Sequence, residues 1–198
     1  MPDEAVVQEL ESLTDYIRRE VAAGFTTVGE IAQEAVRRGE LYVEEGRLRQ
    51  HVERTLREEI QHHLQKQATW PEVTDFDRLE AAFNDLENAG IVCRHNFSCC
   101  GSCGSAEIWN EIEAAQSHRQ TICGYAFYDM QGTESAVEGY GLCLNYGSVL
   151  GDEQASVEIG HQIVKAVQAH GLKADWNGSL DTRISLQMDW KRRMTPSE

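Results

Sequence analysis

No stretch of the chain reaches the roughly 18 consecutive apolar residues that a membrane-spanning helix requires. The opening residues, Met1-Pro2-Asp3-Glu4, lack the basic and apolar regions of a signal peptide, so a cytoplasmic, reducing compartment is expected. Cysteines in such a compartment are more often free, metal-bound or redox-active than structurally disulfide-bonded. Basic residues are scarce. Lys and Arg number 18 against 33 Asp and Glu, for a formal net charge of −15. That acidity aids solubility and argues against nucleic acid and membrane as partners, because both need a basic surface. A protein partner and the oligomeric state stay open.

Familiar catalytic patterns are also missing. No phosphate loop and no nucleophile–His–Asp set stands out. Gly139, Gly141, Gly147 and Gly151 have the wrong spacing and context for a dinucleotide fingerprint. Asp129 and Glu134 read as solvated acids in a loop. There is one C-x-x-C and no second, which removes a standard zinc ribbon.

At 198 residues the chain is long enough for one large domain or two small ones. Helical periodicity fills residues 1–69. Val6, Leu10, Leu13, Ile17 and Val21 recur at three or four residues, and Gly24 is a natural stop. Thr27-Val28-Gly29-Glu30 is a capping box that opens a second helix, with Ile31 and Val36 inward and Gly39 at its end. A third helix is expected over 43–66 on the stripe Val52, Leu56, Ile60, Leu64. Glu45 with Arg49 and Glu53 with Arg57 are i,i+4 pairs on it. The Thr27 segment looks like the start of a DNA-binding helix-turn-helix. Yet the arginines here are interleaved with glutamates, and no basic face remains to neutralise phosphates. His62 and His63 are adjacent, diverge on a helix, and make a weak metal site.

Trp70-Pro71 marks a boundary, since proline disfavours helix in the preceding residue. Thr74 or Asp75 caps a fourth helix with Leu79, Ala82, Phe83 and Leu86 on its apolar face. Strands are expected over 91–97, 121–130, 141–146, 172–176 and 184–188. Helices are expected over 106–117 and 154–170, with one helical turn capped by Thr133 in the 131–139 connection. Lys191-Arg192-Arg193 reads as a frayed polar tail. The result is an α+β fold: a helical region over 1–69, then an α/β domain over 70–198 with a mixed sheet and flanking helices. Its element order matches a ferredoxin-like βαββαβ with an extra edge strand.

The chemistry concentrates in Asn96-Phe97-Ser98-Cys99-Cys100-Gly101-Ser102-Cys103-Gly104, where three of the six cysteines fall within five positions. Two residues between Cys100 and Cys103 let both sulfurs converge on one soft metal or on each other. The candidate metal ligands are Cys99, Cys100 and Cys103, with the cofactor open between Zn²⁺ and Cu(I). His95, His118, Cys123 and Cys143 are remote candidates for a further ligand. The C-x-x-C of the heavy-metal-associated domain of copper chaperones occupies the same place in a ferredoxin-like unit, an analogy of position only. The helix is expected to start only after Gly104-Ser105, which weakens a thiol-exchange reading with Cys100 as nucleophile and Cys103 as resolving thiol. Arg94 and His95 would favour a thiolate; Glu107 and Glu111 would oppose it. Cys93, Cys123 and Cys143 read as small apolar strand residues. The sequence thus favours a non-catalytic binding protein with a metal-holding or redox-sensing loop. A thiol enzyme and an interaction module with purely structural cysteines are the alternatives.

From Trp70 onward the chain resembles a bacterial, largely actinobacterial, family classed as a domain of unknown function. The resemblance is carried by Trp70-Pro71-Glu72-Val73-Thr74-Asp75, Asp77-Arg78-Leu79-Glu80-Ala81-Ala82-Phe83, Gly90-Ile91-Val92 and the run Asn96 to Ile108. Gly171-Leu172, Trp176-Asn177-Gly178 and Trp190-Lys191-Arg192-Arg193 complete it. It implies a soluble bacterial protein and no particular activity. Members carry histidine where this chain has Ser105, so a zinc site using that histidine is not implied here.

Overall fold

The structure is a computed structural model and describes residues 4–118 and 121–194. Its contacts divide the chain into two units. One contains the described residues up to Glu72 together with those from Lys191; the other is Val73–Trp190.

In the first unit α1 (Glu4–Ala23), α2 (Val28–Gly39) and α3 (Glu45–Gln67) pack pairwise on one another. The capping box that opens α2 is formed. The Thr27 N–H donates to Glu30 at 3.0 Å and the Glu30 N–H to the Thr27 hydroxyl at 3.3 Å. Leu13, Ile17, Val21, Ile31, Ala35, Leu48 and Val52 form the core. Gly39 ends α2 as expected, and it also makes room. It ends α2 without a left-handed turn, and a Cβ there would lie 2.6 Å from Leu48 Cδ1 and 2.9 Å from Leu13 Cδ1. Its lack of a side chain is what lets the helices close.

On α3 the Glu45–Arg49 pair forms at 2.8 Å. Glu53 and Arg57 form no ion pair among the described residues. His62 and His63 diverge, as adjacent helical residues must: His62 is exposed, and His63 is buried edge-on against Trp70. The described residues 191–194 are not frayed. The Arg192 guanidinium lies 4.3 Å over the Phe25 ring, and Gln67 bonds both the N–H and the C=O of Met194, at 2.8 and 3.2 Å. Met194 itself joins the core.

The second unit is built on a five-stranded mixed sheet, so the α+β class holds. In chain order its elements are α4 (Asp75–Asn88), β1 (Ile91–Arg94), α5 (Gly101–Ser117), β2 (Gly124–Phe127), α6 (Met130–Val137), β3 (Leu142–Ser148), α7 (Glu153–Ala169), β4 (Lys173–Asp175) and β5 (Ile184–Gln187). The strand order is β1-β2-β3-β5-β4. Among the described strands only β1 and β2 are parallel. Parallel neighbours need a crossover, and α5 supplies it. A ferredoxin-like split βαβ leaves a strand's width between its two parallel strands; here β1 and β2 pair directly, Val92 opposite Tyr125.

Alternation along the strands sorts the two faces. Ile108 and Ile112 of α5 pack on Val92 and Phe127. Leu142 and Leu144 pair with Leu186 and Ile184, all fully buried. The strands before and after the cysteines are shorter than expected. β1 stops at Arg94 because Asn96 and Ser98 turn left-handed, at φ 50° and 63°. α6 is a full helix, and its cap is Asp129 rather than Thr133.

Candidate functional site

The cysteine segment leaves the carboxyl end of β1 and runs beside the carboxyl end of β2. Three backbone bonds stitch the two together: Phe97 N–H to Tyr128 C=O (2.8 Å), Tyr128 N–H to Arg94 C=O (3.4 Å) and Met130 N–H to Ser98 C=O (3.1 Å). The Thr133 hydroxyl on α6 donates to Asn96 Oδ1 at 2.7 Å and fixes the turn from below. A left-handed Ser98 followed by a fully extended Cys100 (φ −159°, ψ 168°) swings adjacent cysteines onto one side. All three sulfurs, of Cys99, Cys100 and Cys103, lie within 4.8 Å of one another, and Cys99 Sγ is 3.9 Å from Cys100 Sγ. Cys99 is exposed; the other two are half-buried.

The helix does not wait for the end of the motif. α5 begins at Gly101, so Cys100 is its N-cap and Cys103 sits in its first turn. The expected later start followed from the poor helix propensity of Gly-Ser-Cys-Gly. Packing overrides it. A Cβ at Gly104 would overlap the Phe127 ring, and one at Gly101 would stand 3.3 Å from Asn145 Oδ1 and 3.4 Å from Asp129 Oδ2. Both glycines therefore serve close approach of the first turn to β2 and β3. Neither takes a positive φ.

This position divides the thiols. The Cys100 sulfur closes no capping hydrogen bond. The N–H of Cys103 nevertheless faces it and, with the Cys103 thiol, lowers its pKa. Cys103 shares its proton with Cys99 and Cys100 and feels their charge, which pushes it up to about 12. Charge on one thiol thus opposes charge on Cys103, and a bound cation would relieve that opposition.

Two neighbours were not placed beside the cysteines by the sequence. Asp129 is 2 % exposed, not a solvated loop acid: its Oδ1 accepts the Gly132 N–H at 2.8 Å as the cap of α6, and its Oδ2 faces Gly101. Asn145 is on β3 opposite Phe127, and its Nδ2 is shielded from solvent without a partner. The Asp129 cap pattern ahead of α6 was a readable signal. Asn145 gave none, because only strand pairing brings it here.

The remote candidates stay remote. His95 Nδ1 bonds the Tyr128 hydroxyl at 2.9 Å, and its ring packs on Phe76 and Phe83. His118 caps the far end of α5, a helix of 17 residues or about 25 Å. Cys123 points to the Gly90 carbonyl at 3.4 Å, and Cys143 lies on β3. Cys93 is buried, which raises its pKa well above the ordinary thiol value. Arg94 turns from the thiols to Glu87 and Glu111, both at 2.8 Å. Among the described residues no other histidine, cysteine or carboxylate joins the three sulfurs.

Sulfurs about 2.3 Å from a metal are about 3.8 Å apart on a tetrahedron and about 4.0 Å apart in a trigonal plane. The 3.9 Å spacing of Cys99 and Cys100 suits either. No described helix is long and apolar enough to cross a membrane. A family model described as Domain of unknown function (DUF6891) matches residues 7–194. No curated protein and no solved structure matches the chain.

Proposed function

We propose, for a chain that belongs to the DUF6891 family and so receives no activity from its relatives, that it is a non-catalytic binding protein whose Cys99, Cys100 and Cys103 hold a soft metal ion. One observation carries this reading: three thiol sulfurs within 4.8 Å of one another at the start of α5. Cu(I) is satisfied by three thiolates. Zn²⁺ would keep its fourth position for solvent or for a ligand from a partner protein. Binding either ion displaces thiol protons, and the raised pKa of Cys103 makes that displacement pH-dependent. The bacterial cytosol is the compartment we assign, on the strength of the N-F-S-C-C-x-x-C-G segment and six free thiols.

The test is metal content and thiol count on protein purified under reducing, chelator-free conditions. The expected result is about one equivalent of copper or zinc per chain, lost when Cys100→Ser and Cys103→Ser are combined. No metal together with six titratable thiols would sink the proposal.

A second reading rests on Cys100 as the N-cap of α5, where the helix end favours a thiolate. The Cys100 thiolate would attack a substrate disulfide, forming a mixed disulfide and releasing one substrate thiolate. Cys103, deprotonated, would then displace the second. The substrate gains two electrons and two protons, and Cys100–Cys103 becomes the disulfide. Cys103→Ser would trap the mixed disulfide; failure to trap any, in metal-free protein, removes this reading. If both readings fail, the cysteines are structural parts of an interaction module.

A further inference from the structure

The helical unit carries a cavity of about 260 Å³ between α1 and α3, lined by Leu10, Arg47, Gln50, His51 and Arg54. Among the described residues no acid lines it, although acids outnumber bases 33 to 18 in the chain. Arg18, Arg37, Arg38, Arg49, Arg78 and Arg94 all pair with carboxylates. Arg47 and Arg54 make no ion pair among the described residues.

Arg54 is nonetheless held in place. Its Nη2 donates to His51 Nδ1 at 3.3 Å, since arginine has no acceptor. His51 is therefore neutral at this nitrogen and presents Nε2–H to the Thr14 hydroxyl at 3.1 Å. Thr14 in turn donates to the Leu10 carbonyl at 2.9 Å. Burial, then Arg54, lowers the His51 pKa; the Leu10 backbone and, less, Glu58 act the other way. This chain of bonds draws Arg54 back along α3 by about one turn, toward Arg47. Two guanidinium forks with no counterion among the described residues then border one cavity, with an amide between them and an apolar wall at Leu10.

We infer that this cavity binds a small organic phosphate, its phosphoryl oxygens held by Arg47 and Arg54. Guanidinium forks match phosphate geometry, and each bond is charge-assisted. The volume is at the small end of ligand sites, enough for a phosphate on a few carbons and too little for a nucleotide. Leu10 would meet the carbon skeleton. The inference is independent of the thiol cluster.

The test is an amide NMR titration with glycerol phosphate and inorganic phosphate at fixed ionic strength, with chloride as the control. Saturable shifts centred on Gln50 and His51 are expected. Arg47→Gln and Arg54→Gln should each weaken binding about tenfold, the size of one charge-assisted contact. Arg49→Gln, about 200° further round the helix and paired with Glu45, should leave it unchanged. Shifts elsewhere, shifts reproduced by chloride, or an equal loss in Arg49→Gln would overturn the inference. The wild-type map decides alone if a variant fails to fold.

Discussion

His63 shows how much one side chain can commit a helix. It is 8 % exposed, its Nε2 has no partner, and burial lowers its pKa, a shift the Arg192 backbone partly offsets. The unfolded chain then binds the proton more tightly than the folded one, so folding stability rises with pH through this window. Its contribution is complete above the unfolded value of about 6.5 and is lost as pH falls below it toward the depressed folded value. The urea midpoint of the helical unit is expected to fall between pH 7 and pH 5, and His63→Gln is expected to flatten that slope. An unchanged slope in the variant would place the acid sensitivity elsewhere, His51 being the next group with a lowered pKa. That His62 and His63 diverge was readable from helical geometry alone. The burial of His63 was not, because Trp70 comes from beyond the end of α3.

At the scale of an element, the start of α5 decides what the cysteines can do. Propensity placed it after the motif, and packing places it at Gly101. The three cysteines were legible because they are neighbours in sequence. The spacing also let Cys100 and Cys103 meet; that Cys99 joins them was not legible, since it depends on two left-handed residues and on the seat of Gly104 against Phe127. Gly104→Ala should therefore cost roughly 1–3 kcal/mol through overpacking. It should also lift the first turn and lower metal affinity, read by unfolding and by competition with a chelator. Full stability and full affinity in this variant would show that Phe127 does not seat the helix. The same rule explains why the capping box at Thr27 was legible and why Thr74 was one of the two caps offered for α4: the partners Glu30 and Asp77 lie three residues away. Asp129 and Asn145 meet Gly101 across 28 and 44 positions, beyond the reach of any local pattern.

For the whole molecule, the α+β class followed from element order, whereas the strand pairing did not. Periodicity reports which face of a strand is buried and says nothing about which strand lies beside it. Hence the direct β1–β2 pair was missed while the α5 crossover between these strands was found. The return of the chain to the helical unit was equally hidden in a basic, polar segment. Removing residues 191–198 should lower the urea midpoint of the helical unit. The truncation deletes Met194 from its core, both Gln67 bonds and the Arg192 stack on Phe25. Circular dichroism at 222 nm would follow it. An unchanged helical transition would show these contacts to be dispensable.

That return also orders events at the ribosome. The three N-terminal helices are translated first, yet Met194 reaches their core only after all of Val73–Trp190 has emerged. Until then the bundle waits with an open seam. The nascent chain thus carries a built-in delay, and the last described residue to be made closes the first unit to be started.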